Sequence, residues 1–187
     1  FRIYTEFDGS LKQDWNALLA QSTPHVPFLR YEYLQTWWQH RGGGEWPHDA
    51  QLALIVGFDG GKMAGVAPCF SALHQGEKRL LLLGSIEISD YLDVITRDED
   101  RQRFLAGLVD FVRSRPQGLK DVATLDFYNL LDDSPSLDFF KAVPGAEIEM
   151  LQHSPYIRLP GDWEVYLSSI DKKQRHEIRR KMRRFES

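Results

Sequence analysis

Cysteine is nearly absent: one residue, Cys69, stands in a chain of 187. An internal disulfide is therefore excluded, and a reducing compartment suits the chain better than a secreted one. Cys69 lies in the apolar run Val66-Ala-Pro-Cys-Phe70 with no flanking charge to lower its pKa, so it reads as a buried, inert thiol. Long hydrophobic runs are missing as well. The longest, around Leu52–Val56 and Leu80–Leu83, fall far short of the roughly 20 residues a membrane helix needs, so no span is expected. The chain opens at Phe1 with a strand-like stretch rather than a charged region followed by an apolar leader, which suggests a trimmed start and a cytoplasmic protein.

Several chemistries lack their residues. His25, His40, His48, His74, His153 and His176 show no metal-ligand spacing, and one cysteine cannot complete a zinc set, so no metal site is expected. No Gly-x-Ser-x-Gly elbow, phosphate-binding P-loop or dinucleotide fingerprint is present. Gly42-Gly-Gly44 follows a helical pattern instead of preceding one and reads as a helix stop.

What is present is an ordinary globular composition. Hydrophobic residues make up 42% and charged residues 27%, values that exclude a disordered or collagen-like chain. The net charge of −4 is unevenly spread. Residues 171–187 carry eight Lys or Arg against three acids, a balance of +5 that leaves −9 on the rest: a basic element on an acidic body.

Phe1–Phe7 alternates like a short strand, and Ser10 is the N-cap candidate for a helix over 11–19. Tyr31, Leu34, Trp37 and Trp38 recur at helical spacing up to the glycines. The runs 52–58 and 64–73, joined by Asp59-Gly-Gly-Lys62, form a β-hairpin, and 78–83 continues the meander. A strand is expected over 87–95 with a loop at its start, an amphipathic helix over 101–112, a strand over 122–128, a short helix over 135–141 and a strand region over 147–159. Asp162 can cap a helix reaching Leu167, and 172–185 can form a basic helix. The class is α+β with a mixed, largely antiparallel central sheet flanked by helices. The organisation is a first domain over 1–160 and a basic helical segment over 161–187.

Three stretches carry a family resemblance: Pro27-Phe-Leu-Arg-Tyr-Glu-Tyr-Leu-Gln-Thr-Trp-Trp38, Ser89-Asp-Tyr-Leu-Asp93, and the tryptophan-led, Lys/Arg-rich stretch from Trp163 to Glu186. Together they resemble bacterial acetyltransferases of the GNAT superfamily related to the CelD proteins of cellulose biosynthesis, which are similar to the FemAB peptidyltransferases. The resemblance implies a GNAT-like domain and N-acyl transfer in a ternary complex, where an acceptor amine attacks a thioester carbonyl. In that family two such domains lie side by side, and a basic helix introduces the second, which holds acetyl-CoA or another acyl-CoA. This chain then corresponds to the first domain, shaping the acceptor side, with no acyl-CoA expected on it alone. The family's pyrophosphate loop, Gln/Arg-x-x-Gly-x-Gly/Ala before a helix, is not found here. The acceptor implied is a small-molecule amine or a glycan precursor.

The resemblance implies Tyr91, Asp93, Arg175 and Arg179 as acceptor-binding residues and assigns no catalytic residue. Read as residues alone, Ser89–Asp93 sets two carboxylates and a phenol near a strand entrance, where they either serve a cleft or cap a turn and pack. The basic helix places Lys172, Arg175, Arg179 and Arg183 near one face and Ile178, Met182 and Phe185 in an apolar stripe. It either meets a phosphate-bearing group or packs its stripe and leaves its charges solvated. The acidic body argues against nucleic acid, and Trp37-Trp38 reads as core before stacking platform. If the family reading holds, exposed terminal helices make the chain prone to dimerise. The rival reading is a non-catalytic GNAT-like module docking an acidic partner through the basic helix.

Overall fold

The computed structural model describes residues 1–46, 49–74, 76–84, 89–153 and 155–186, the Glu186 side chain excepted. The chain divides into two compact units, Phe1–Glu149 and Met150–Ser187; the boundary expected at 160 falls inside the second.

The first unit is built on a mixed sheet. Its strands are β1 (Arg2–Tyr4), β2 (Gln51–Asp59), β3 (Lys62–His74), β4 (Glu77–Leu82), β5 (Ile95–Thr96) and β6 (Val122–Asp126), in the order β1-β2-β3-β4-β6 with β5 also on β3. All pairings are antiparallel except β4 with β6, which is parallel. The hairpin of β2 and β3 forms as the Asp59-Gly-Gly-Lys62 signal requires, with a register shift at Gly57/Phe58. Its centre is buried without alternation, from Leu52 to Val56 and from Val66 to Cys69, because helices cover both faces.

On one face lie α1 (Lys12–Leu19) and α2 (Tyr31–Arg41). Trp15, fully buried, donates its indole N–H to the Leu29 carbonyl at 2.9 Å, so the large ring enters the core with its polar atom paired. Trp37 and Trp38 both set their rings about Phe70 of β3, Trp37 buried and Trp38 half-buried, in a packing role. The helix stops at Gly42, whose φ of +43° glycine adopts without strain and whose N–H reaches the Trp38 carbonyl. On the other face α3 (Arg101–Arg113) buries Phe104, Leu105, Leu108, Val109 and Val112. Phe104 lies on the paired glycines Gly57 and Gly65; a Cβ on Gly65 would fall 2.3 Å from the ring. The short α4 (Pro135–Lys141) completes the unit.

The second unit contains α5 (Trp163–Ser169), capped by Asp162 on the Val165 N–H at 2.9 Å, and the basic α6 (Lys172–Glu186). No helix among the described residues is long and apolar enough to cross a membrane.

Four local expectations change. Ser10 does not cap α1: Asp8 accepts the Ser10 N–H and starts a single 3-10 turn, Gly9–Leu11, that leads into the helix. Residues 89–94 form an irregular excursion and only Ile95–Thr96 pair, because β3 offers a free flank to this segment only at Gly65 and Val66; Glu87 and Ile88 lie outside the described residues. The strand expected over 122–128 ends at Asp126, where its pairing with β4 stops. The 147–159 region forms no ladder among its described residues.

Candidate functional site

β4 and β5 are two pieces of one line. β4 pairs with Cys69–His74 of β3 and β5 with Gly65 and Val66, on the same flank of that long strand. Between them the chain leaves the sheet. Leu83 still donates to the Pro68 carbonyl at 2.8 Å, then Gly84 turns out at φ +100°, where a Cβ would meet Ser89 Oγ at 2.7 Å. Beside this interruption β6, which runs parallel to β4 and pairs as far as Leu81↔Asp126, also ends. The carboxyl ends of adjacent parallel strands, with their chains departing, are where open sheets bind ligands.

The two departing loops are tied together. Asn129, three residues past β6, donates its amide to the Ser89 carbonyl at 2.9 Å and accepts the Leu92 N–H on its own carbonyl at 3.0 Å. Its φ of +60° is left-handed, a conformation asparagine tolerates better than most residues. Asp93 is 2% exposed; its Oδ1 accepts the Val94 N–H at 2.7 Å and its Oδ2 the Ser134 hydroxyl. Burial pushes the Asp93 carboxyl up from its ordinary pKa, against the opposing pull of Ser134, Ser136, the Val94 N–H and the Arg101 guanidinium.

Above this buried base sits an aromatic rim. Tyr33 of α2 and Ser89 share a hydroxyl–hydroxyl bond of 2.9 Å. Phe28 lies between Tyr33 and Tyr91, with ring centroids 5.5 and 6.3 Å away, and all three rings are half-buried. Two stretches more than fifty positions apart, Pro27–Trp38 and Ser89–Asp93, thus meet at one point. On the sheet behind them Arg79 of β4 and Asp126 of β6 pair at 2.7 Å, and burial followed by Asp126 raises the Tyr128 phenol.

Of the residues expected to bind an acceptor, Tyr91 is on the rim, and Asp93 lies beneath it, holding the loop. Arg175 and Arg179 belong to the second unit, where Arg179 pairs with Glu164 across α5 and α6 at 2.5 Å and Arg175 is half-buried. Tyr33, Asn129 and Ser134 escaped sequence reasoning. Ser134-Pro135 carried an N-cap signal that could have found the last of them; nothing local marks the other two.

Two open depressions, about 310 and 270 Å³, lie elsewhere in the first unit, one between α3 and α4 and one beside Asp49, Gln51, Leu73 and Lys78. Neither is lined by Phe28, Tyr33, Ser89 or Tyr91. Among the described residues no group of three or more His, Cys, Asp or Glu could hold a metal ion; His48 lies outside them.

The start of α3, the helix that follows the interrupted strand line, carries charges of both signs. Asp98, Glu99 and Asp100 precede it, and Arg97, Arg101 and Arg103 are engaged with Asp98 and Asp100. Unpaired N–H groups favour a pyrophosphate at a helix start, but here the Asp100 and Arg101 N–H groups already bond to the Arg97 and Asp98 carbonyls and the three arginines are spent on Asp98 and Asp100. The described residues here do not fit a CoA pyrophosphate.

No protein-family model matches the chain, and no curated protein matches it. Among solved structures it is similar to a ribosomal-protein-alanine N-acetyltransferase from Brucella melitensis biovar Abortus 2308, at 13% identity and a TM-score of 0.42, over 85% of this chain and 100% of that one. It is similar also to an acetyltransferase from Trypanosoma brucei, at 14% identity and a TM-score of 0.38, over 85% of this chain and 96% of that one.

Proposed function

We propose that this chain is the acceptor-side part of a GNAT-type N-acyltransferase, one that acylates an amine of a small molecule or a glycan precursor. The observation that carries the reading is the junction of the two family-like stretches at the ends of β4 and β6, where Phe28, Tyr33 and Tyr91 form a rim over a tied-down loop. Half-buried aromatic rings with hydroxyls at their edge suit an amphipathic acceptor, offering apolar contact and oriented hydrogen bonds together. Tyr91 is the proposed acceptor contact here, and Asp93 positions the loop that presents it. Arg175 and Arg179 are proposed to take an anionic group of the acceptor. Acyl-CoA is proposed to be held outside this chain, since the N–H groups and arginines at the start of α3 are already engaged, and the contribution made here is to bind and orient the amine.

Thermal-shift titration with acetyl-CoA tests the reading, run on this chain beside the complete product of its gene. A ligand at 100 times its Kd adds about 2.7 kcal/mol, which raises Tm by roughly 5–10 °C at this size. The complete product is expected to shift and to release CoA thiol when amines are supplied, whereas this chain alone is expected not to shift. A shift by this chain alone refutes the proposed division, and a complete product that neither shifts nor releases CoA refutes acyl transfer. In that case the acidic-partner module, supported by the exposed cations of α6, takes its place.

A further inference from the structure

Two buried or half-buried tryptophans bond their indole N–H groups to acceptors of different kinds. Trp15 donates to the Leu29 carbonyl at 2.9 Å, an oxygen that does not titrate. Trp46, in the connection from α2 to β2, donates to His74 Nδ1 at 3.0 Å, and the two rings meet edge to face with centroids 5.1 Å apart. An imidazole nitrogen accepts a hydrogen bond only while it carries no proton. In the imidazolium both ring nitrogens donate, so Nδ1–H and the indole N–H would face each other, donor against donor, and the bond is lost.

We propose that the His74–Trp46 pair is an acid-sensitive latch on the connection between α2 and β2: the neutral imidazole holds Trp46 against the sheet, and the protonated imidazole releases it. The connection is closed tightly enough for one bond to matter. Trp46 leans on Phe70 of β3, with ring centroids 6.3 Å apart, and its backbone N–H bonds to the Gly43 carbonyl at 3.0 Å. Gly43, at φ +92°, lies so close to Ala50 that a Cβ there would fall 2.2 Å from the Ala50 Cβ.

The charges around the pair favour two states. His74 stands opposite Glu77 in the ladder of β3 and β4, and cross-strand partners share a face of the sheet, so the exposed Glu77 carboxylate is set beside a protonated His74. The other charged or titratable side chains described on the flanking segments are His40 and Arg41 at the end of α2, Glu45 and Asp49 in the connection, and Lys78 of β4. None of them is bonded to His74, whose hydrogen-bond partner among the described residues is Trp46. The latch lies just past the end of α2, the helix whose first turn carries Tyr33 of the aromatic rim, and it does not depend on the acyltransferase reading.

Proton–nitrogen NMR of the indole groups of the whole chain, followed from about pH 8 to pH 5 where imidazole changes charge, tests it. The Trp46 indole signal, assigned with Trp46→Phe, is expected to lose its hydrogen-bonded shift and its protection from solvent exchange as the His74 ring gains its proton. The Trp15 signal, bonded to a backbone carbonyl, is expected to stay. His74→Asn, whose side-chain oxygen stands near the place of Nδ1 and accepts without titrating, is expected to keep Trp46 bonded at both ends of the range. A Trp46 signal that does not change overturns the latch. So does one that changes equally in His74→Asn, since another group then drives it. A change that comes only together with Trp15 overturns it too, because the whole unit is then unfolding; this comparison within the wild type decides the matter even where the variant does not fold.

Discussion

The Ser134 hydroxyl donates its one proton to Asp93 Oδ2 while its oxygen accepts the Ser136 N–H at 3.1 Å and the Leu137 N–H at 3.5 Å. A single side chain thus caps α4 and anchors the excursion that carries Tyr91. Ser134→Ala removes the cap and leaves a buried carboxylate oxygen without this donor, a loss of about 1–3 kcal/mol. At this chain length each kcal/mol lowers Tm by about 2–4 °C. Ser134→Thr, which keeps the hydroxyl, is expected to recover most of it. Equal Tm values for the Ala and Thr variants would show that the hydroxyl does not hold the loop.

Asp93 gives the fold a pH dependence of unusual sign. Because burial raises its pKa on folding, the native state holds this proton more tightly than the unfolded chain does. The stability it contributes is present in acid and is lost as pH rises from the ordinary aspartate value through the raised one. Urea unfolding of the wild type and Asp93→Asn, compared across that window, is expected to show the wild type losing ground to the variant as pH increases. A difference that stays flat, or runs the other way, would refute the assignment.

Gly65 and Phe104 form a steric pair whose cost can be measured. Gly65→Ala places a methyl 2.3 Å from the ring, too close for any real contact, so α3 must lift or Phe104 must leave its rotamer. Overpacking of this kind costs about 1–3 kcal/mol. Gly57→Ala, at 3.0 Å from the same ring, is expected to cost less. Combining Gly65→Ala with Phe104→Leu is expected to cost less than the two single changes added together, as contacting residues do; strict additivity would argue against the contact.

Cys69 is fully buried, and the apolar surroundings push its thiol up, well out of the reactive range. Labelling by a thiol reagent is expected to be absent in the folded chain and to follow unfolding as urea is added. Rapid labelling under native conditions would mean that the β3 flank opens far more readily than its packing implies.

Elements whose signals are local were legible in the sequence. The hairpin announced itself through its Gly-Gly turn, α3 through its apolar stripe, and α5 through Asp162. The excursion at 89–94 was misread because Leu92, Val94 and Ile95 suggest a strand, whereas β3 accepts pairing only from Ile95 and Thr96. Residue type alone left the carboxylates of Ser89–Asp93 either serving a cleft or capping a turn; the Ser134 hydroxyl that binds Asp93 lies forty-one positions away. Asn129 carries no motif, and its role depends on β6 ending beside the loop it clamps.

The sequence by itself determined where the chain turns, which faces are apolar, that the class is α+β, and that the end of the chain is basic on an acidic body. Those properties follow from side-chain chemistry and from periods of two to four residues. Tertiary structure alone decided that β4 and β6 run parallel, that β4 and β5 share one flank of β3, and that Tyr33, Ser89, Tyr91 and Asn129 meet at the resulting gap. The strand pairings joining these segments are carried by backbone groups common to every residue, so they leave no local mark and are selected only when the whole core packs.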